Sequence, residues 1–164
     1  MTQTHLILFA AAPLILWRVY KRVQRLTVRQ KSRIWRHWFG VIFLPAALLT
    51  MSFFLLAHPA ALGALLGGAA AGGALGVAAL RRADFQRIGS DYFYTPYAPI
   101  GMLVAMLFIA RVLYRLYEMA TLGAQGVPAF GSSPLTTGIM GIVAGYYLVY
   151  ASGLLRWRLA DRPR

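Results

Sequence analysis

Four stretches of the chain are almost purely apolar, and the charges collect in the short runs between them. Trp38–Ala57, Ala60–Leu80 and Pro134–Leu155 carry no charge at all. Ile100–Tyr117 is similarly apolar, with Arg111 and Arg115 inside it. A hydrocarbon core about 30 Å thick is crossed by roughly 20 helical residues, so each stretch has the length of a span. Helices are the expected form, because open strands would leave backbone groups unpaired in lipid. A fifth stretch, Leu6–Trp17, is shorter and carries Pro13. It spans if Thr2–His5 sit at one interface and Arg18 snorkels at the other; otherwise it lies flat as an interfacial helix.

The expected architecture is therefore an all-α membrane bundle of five helices, or four if the first stretch does not cross. The expected boundaries are about 5–20, 38–57, 60–80, 100–117 and 134–155. Between the third and fourth, ADFQRIGSDYFYTPYAP breaks the apolar pattern. Phe85 and Ile88 precede a Gly89-Ser90-Asp91 turn, and the aromatic run Tyr92–Tyr94 with Thr95 favours a strand. A short β-hairpin is predicted over about 83–95, facing the cytoplasm. Pro96 and Pro99 then lead into the next helix.

Composition supports this reading. The 164 residues are 59% hydrophobic and 13% charged, against about 25% charged in a typical soluble domain. Mean hydropathy is +0.60. One integral membrane domain over residues 1–164 accounts for the whole pattern. The segment Met1–Arg22 lacks a basic region ahead of its apolar run and a small-x-small cleavage site, so it reads as a retained helix rather than a signal peptide.

The net charge of +13 would suggest nucleic acid in a soluble protein. Here its distribution points to topology instead. Arg18 to His37 holds eight basic residues, the 81–87 link holds Arg81, Arg82 and Arg87, and the tail holds Arg156, Arg158, Arg162 and Arg164. The His58-Pro59 turn and the Met119–Ser133 loop hold none. Basic loops face the cytoplasm, which places the N-terminus outside and the C-terminus inside a bacterial inner membrane. Trp17, Trp35, Trp38 and Trp157 then all fall at the cytoplasmic interface. Anionic lipid headgroups are the expected partners of that basic face, and nucleic acid is not. The chain has no cysteine, so dithiol exchange and thiolate metal ligation are excluded.

Two constellations stand out. Gly63, Gly67, Gly68, Gly72 and Gly76 recur at four-residue spacings in the 60–80 helix, and Gly141 and Gly145 repeat the spacing in the last helix. Small residues four apart let helix backbones approach closely, either within the bundle or in a homodimer. Arg111, Arg115 and Glu118 lie at i, i+4 and i+7 on one helical face, with Tyr114 close by. Arg111 falls past the midplane of the 100–117 span, toward its outer end, and an arginine there must be paired or reach water. Glu118 is the natural partner for Arg115, and Tyr146 or Tyr147 would complete an interhelical tether. The functional alternative is a site for an anionic or lipid ligand built from Arg111, Arg115, Glu118 and Tyr114. No catalytic set, metal-ligand spacing or phosphate-binding glycine loop is visible, and no cofactor is expected.

The run Arg82–Arg115, from RADFQRIGSDYFYTP through YAPIGMLVAMLFIARVLYR, resembles the CcdC-like family of small bacterial membrane proteins. Those proteins pair a short polar hairpin with a following helix that carries an arginine. The resemblance implies a multi-helix plasma-membrane protein of uncharacterised activity, with Arg111 and Arg115 at family-like positions. The expected function is that of a non-catalytic accessory or assembly protein with a membrane-protein partner. The alternative is a small transporter or binding protein using Arg111 and Arg115.

Overall fold

The computed structural model describes residues 30–31, 34–88, 91–122 and 133–160. The elements in chain order are β1 (Gln30–Lys31), α1 (Ile34–Phe54), α2 (Pro59–Arg81), β2 (Asp84–Ile88), β3 (Asp91–Thr95), α3 (Ala98–Leu122) and α4 (Pro134–Ala160). The stretch expected to form a helix over 5–20 lies outside the described residues. Among the described residues, α2, α3 and Pro134–Trp157 of α4 are long and apolar enough to cross a membrane. The apolar stretch of α1 is shorter, Gly40–Phe54.

Helix ends differ from expectation for local reasons. The 38–57 stretch stops being α-helical after Phe54, because Leu55–His58 turns tightly. Leu56 N–H donates to Phe53 O and His58 N–H to Leu55 O, at 3.3 and 2.8 Å. Pro59 then occupies the first turn of α2, where its missing N–H costs nothing. Pro134 opens α4 in the same way, and Thr137 N–H closes the first turn on Ser133 O at 3.1 Å. At the other ends, α3 and α4 each run five residues beyond the predicted 117 and 155.

Neighbouring contacts set the directions. Thr137 meets Ala61, and Gly153 meets Leu80, so α2 and α4 run parallel. Gly40 of α1 meets Ala151, and Gly101 of α3 meets Tyr146. α1 and α3 are thus antiparallel to α4, which touches all three other described helices. One end of the bundle carries the exposed Arg81, Arg82 and Arg156. The opposite end carries the α1–α2 turn and the start of α4.

The strands sit at the arginine-bearing end. β2 pairs antiparallel with β3, from Asp84↔Thr95 to Ile88↔Asp91. β1 adds to the other side of β3 through Gln30↔Tyr94 and Lys31↔Phe93, giving the order β1-β3-β2. This third strand had no signature in the sequence, since two residues carry no periodicity. It brings the chain leading into α1 alongside the link between α2 and α3.

Two small cores hold the helices. Leu55, Ala61 and Leu65 pack with Leu48, Met51 and Leu62 around the α1–α2 turn. Ala79, Val104 and Tyr146 pack with Leu75, Ile100, Ile142, Val143 and Tyr150 where α2, α3 and α4 meet. The Tyr146 ring stacks on Tyr150 with centroids 5.8 Å apart. Many large apolar side chains point outward, among them Leu49, Phe53, Phe54, Leu103 and Met106. In a soluble protein such exposure would be a liability; in lipid it is the solvated face.

Candidate functional site

The glycines of α2 and α4 determine how closely these helices pack. A Cβ on Gly68 would overlap the carbonyl oxygen of Gly138, and one on Gly72 that of Ile142. From the other side, a Cβ on Gly141 would overlap the Leu65 carbonyl, and one on Gly145 that of Ala69. Gly76 lies where a Cβ would come 2.9 Å from Tyr146 O. The two backbones therefore meet directly, with no side chain between them. Gly63 and Gly67 share the spacing but not the contact: among the described residues, a Cβ at either would meet nothing within 4 Å. They lie on the exposed face of α2, away from the α4 contact. Gly138 belongs to the contact and carried no i+4 signature with Gly141.

The start of α4 holds the polar residues that bind the helices together. The Thr137 hydroxyl, fully buried, donates to the Ala61 carbonyl oxygen across the α2–α4 contact at 3.0 Å. One residue earlier, Thr136 faces α3. Arg111 reaches it from the middle of α3: Nε donates to Thr136 Oγ1 at 3.0 Å and Nη2 at 2.8 Å. Nη2 also lies 3.4 Å from Ser133 Oγ.

Arg111 is buried, with only 7% of its side chain exposed. Such a charge must be compensated. Glu118, two turns further along α3, supplies the counter-charge, with Oε2 3.6 Å from Arg111 Nη1. That distance makes an ion pair but exceeds hydrogen-bond length. Among the described residues, neither Arg111 Nη1 nor Glu118 Oε2 has a hydrogen-bond partner. The Tyr114 ring lies over the guanidinium, 5.3 Å from its centroid to Cζ, within cation–π range. Tyr114 itself is exposed. Arg115 is half-buried one turn beyond Arg111 on the same helical face.

The structure thus brings Arg111, Tyr114 and Glu118 together, as their spacing on α3 suggests, and adds Thr136 and Ser133. The hydroxyls expected to complete the tether, those of Tyr146 or Tyr147, are not the ones Arg111 meets. Tyr146 lies ten residues further along α4, and its hydroxyl faces Gly101. The sequence offered one cue to the true partners: Ser133-Pro134-Leu135-Thr136-Thr137 is a hydroxyl cluster at the head of an apolar helix.

The register between α3 and α4 sets the level of Arg111 in the bundle. Judged along α3 alone it falls past the midpoint of the span. Its guanidinium, however, is level with the first turn of α4. α3 continues eleven residues beyond Arg111, while α4 begins two residues before Thr136. Allowing about 6 Å for the arginine side chain, α3 stands past the end of α4 by roughly a turn at 1.5 Å per residue. Arg111 therefore sits at the end of the packed bundle rather than within it.

The likeness to known proteins extends over nearly the whole chain. The model of a family described as CcdC protein covers residues 2–158. The chain belongs to that family. A member from Bacillus subtilis (strain 168), Protein csk22, is 24% identical over 161 residues, covering 93% of this chain and 88% of the relative. No solved structure matches the chain significantly. Membership of the CcdC family accords with the membrane-type helices and assigns no activity to the Arg111 cluster.

Proposed function

We propose that this CcdC family member is a non-catalytic accessory or assembly protein of the bacterial inner membrane, its C-terminus cytoplasmic and its N-terminus outside. The supporting observation is the direct backbone contact between α2 and α4. A transport path or an active-site cavity needs space between helices, whereas here carbonyl oxygens of one helix fill the glycine gaps of the other. The outward faces supply what an accessory protein needs. Large apolar side chains of α1 and α3 offer a lipid-facing surface for a membrane-protein partner or a second copy. Arg81, Arg82 and Arg156 gather at one end, where anionic headgroups would meet them.

The test is extraction of C-terminally tagged protein from native membranes in mild detergent, with mass spectrometry of what accompanies it. A stoichiometric protein partner is expected. A monodisperse particle carrying no other protein counts against the proposal.

A further inference from the structure

We propose that the half of α3 beyond Val104 is a hinged arm, held to α4 by a releasable latch between Arg111 and the hydroxyls of Thr136 and Ser133. α3 is the most loosely packed of the three spanning helices. Within the protein, 11% of its apolar span is buried, against 28% for α2 and for α4. The α2–α4 pair meets backbone to backbone, whereas α3 and α4 are bridged by long side chains. The Tyr146 hydroxyl extends to Gly101, and Arg111 extends to Thr136. An element with few buried apolar contacts opens at a lower free energy than the core beside it.

The two halves of α3 are held differently. Near its start, Ile100 and Val104 pack with Ala79 and Tyr146. Just before it, the Arg82 guanidinium lies 5.5 Å from the Tyr97 ring centroid. That end is the pivot. Beyond Val104, Arg111 is the one fully buried residue of α3, and what holds it to α4 is polar.

The partners of Arg111 make the latch releasable. Glu118 and Tyr114 stand on α3 itself, so a swing of the arm carries the counter-charge and the covering ring along with the guanidinium. Only hydroxyls are left behind on the α4 side. A helical threonine can turn its hydroxyl to a carbonyl one turn back, as Thr137 does toward Ser133 O and Pro134 O. The latched geometry also leaves a bond unmade. Arg111 Nη1 and Glu118 Oε2 stand 3.6 Å apart, and among the described residues neither has a hydrogen-bond partner. Once Thr136 lets go, the guanidinium is free to close on Glu118. At the end of the packed bundle it can also snorkel to the interface. Latched and released arrangements are thus both charge-compensated, as a two-state element requires.

The chain has no cysteine, so nitroxide pairs can be placed at will. Double electron–electron resonance on the full chain in liposomes reads three distances. Leu116→Cys with Leu135→Cys spans the latch. Leu103→Cys with Arg156→Cys spans the pivot. Leu66→Cys with Leu135→Cys spans the α2–α4 contact. All five positions are exposed.

Two distances are expected across the latch, and one narrow distance across each of the other pairs. Thr136→Val should raise the ratio of long to short distances across the latch about fivefold, as for loss of one hydrogen bond of about 1 kcal/mol. Thr136→Ser keeps the hydroxyl and should leave the ratio as in wild type. A single narrow latch distance that Thr136→Val does not change overturns the arm. Equal broadening across the pivot overturns the hinge.

Discussion

The hydroxyl of Thr137 donates to the main-chain carbonyl of Ala61 at 3.0 Å, tying the first turn of α4 to the first turn of α2. Thr137 is fully buried and Ala61 nearly so. Thr137→Val keeps the shape and removes the donor. Interhelical hydrogen bonds in membranes contribute about 0.6 kcal/mol on average and up to about 1.7. Thr137→Val should therefore lower unfolding stability in mixed micelles by an amount in that range, with the helix content of the folded state unchanged by circular dichroism.

The α2–α4 contact predicts a sharp division among glycines of identical spacing. Gly72→Leu and Gly145→Leu drive a side chain into a carbonyl and should destabilise by about 1–3 kcal/mol or more. Gly63→Ala and Gly67→Ala meet open space and should be neutral, or stabilising by about 0.5–1 kcal/mol through helix propensity. Parallel unfolding titrations of the four variants would show it; equal losses at all four positions would mean that the outward face of α2 is also packed.

Arg111 and Thr136 should be energetically coupled. A double-mutant cycle of Arg111→Gln and Thr136→Val is expected to show an interaction of about 1 kcal/mol or more, since the bond is charge-assisted and buried. A cycle of Arg111→Gln with Tyr146→Phe should show coupling near zero, because the Tyr146 hydroxyl faces Gly101.

Orientation can be read by labelling, and the absence of native cysteine leaves a clean background. His58, Arg82 and Arg156 are exposed and lie at opposite ends of the bundle, His58 at one and the two arginines at the other. Single cysteines at Arg82 and Arg156 should react with a membrane-impermeant maleimide only in inverted vesicles. A cysteine at His58 should react in intact cells. The reverse pattern would overturn the assigned orientation.

The legible parts of this fold are those with a repeating signal. Apolar stretches of spanning length announced α2, α3 and α4, and the i, i+4, i+7 spacing placed Arg111 and Glu118 on one face. What the sequence withheld depends on register between distant segments. Whether a glycine faces a partner or lipid is a matter of helix rotation, so Gly63 and Gly72 look alike until α4 is in place. Thr136 and Thr137 are adjacent and chemically identical, yet one serves α3 and the other α2. β1 is two residues long and exists only because β3 accepts it. That Arg111 lies level with the first turn of α4 depends on how far α3 outruns α4, a relation between two helices that neither sequence contains alone.

The parallel pairing of α2 and α4 has a consequence for synthesis. Gly72 meets Ile142, which leaves the ribosome only after the whole of α3 has been made. At about 5–20 residues per second, α2 waits roughly 4–14 seconds for the helix that fits it. During that interval Gly68, Gly72 and Gly76 expose bare backbone, and any passing helix with a small-residue seam is a competitor. A nascent chain halted before Pro134 thus has a mature-looking span with no mate, and such chains should be the ones that mispair or are cleared.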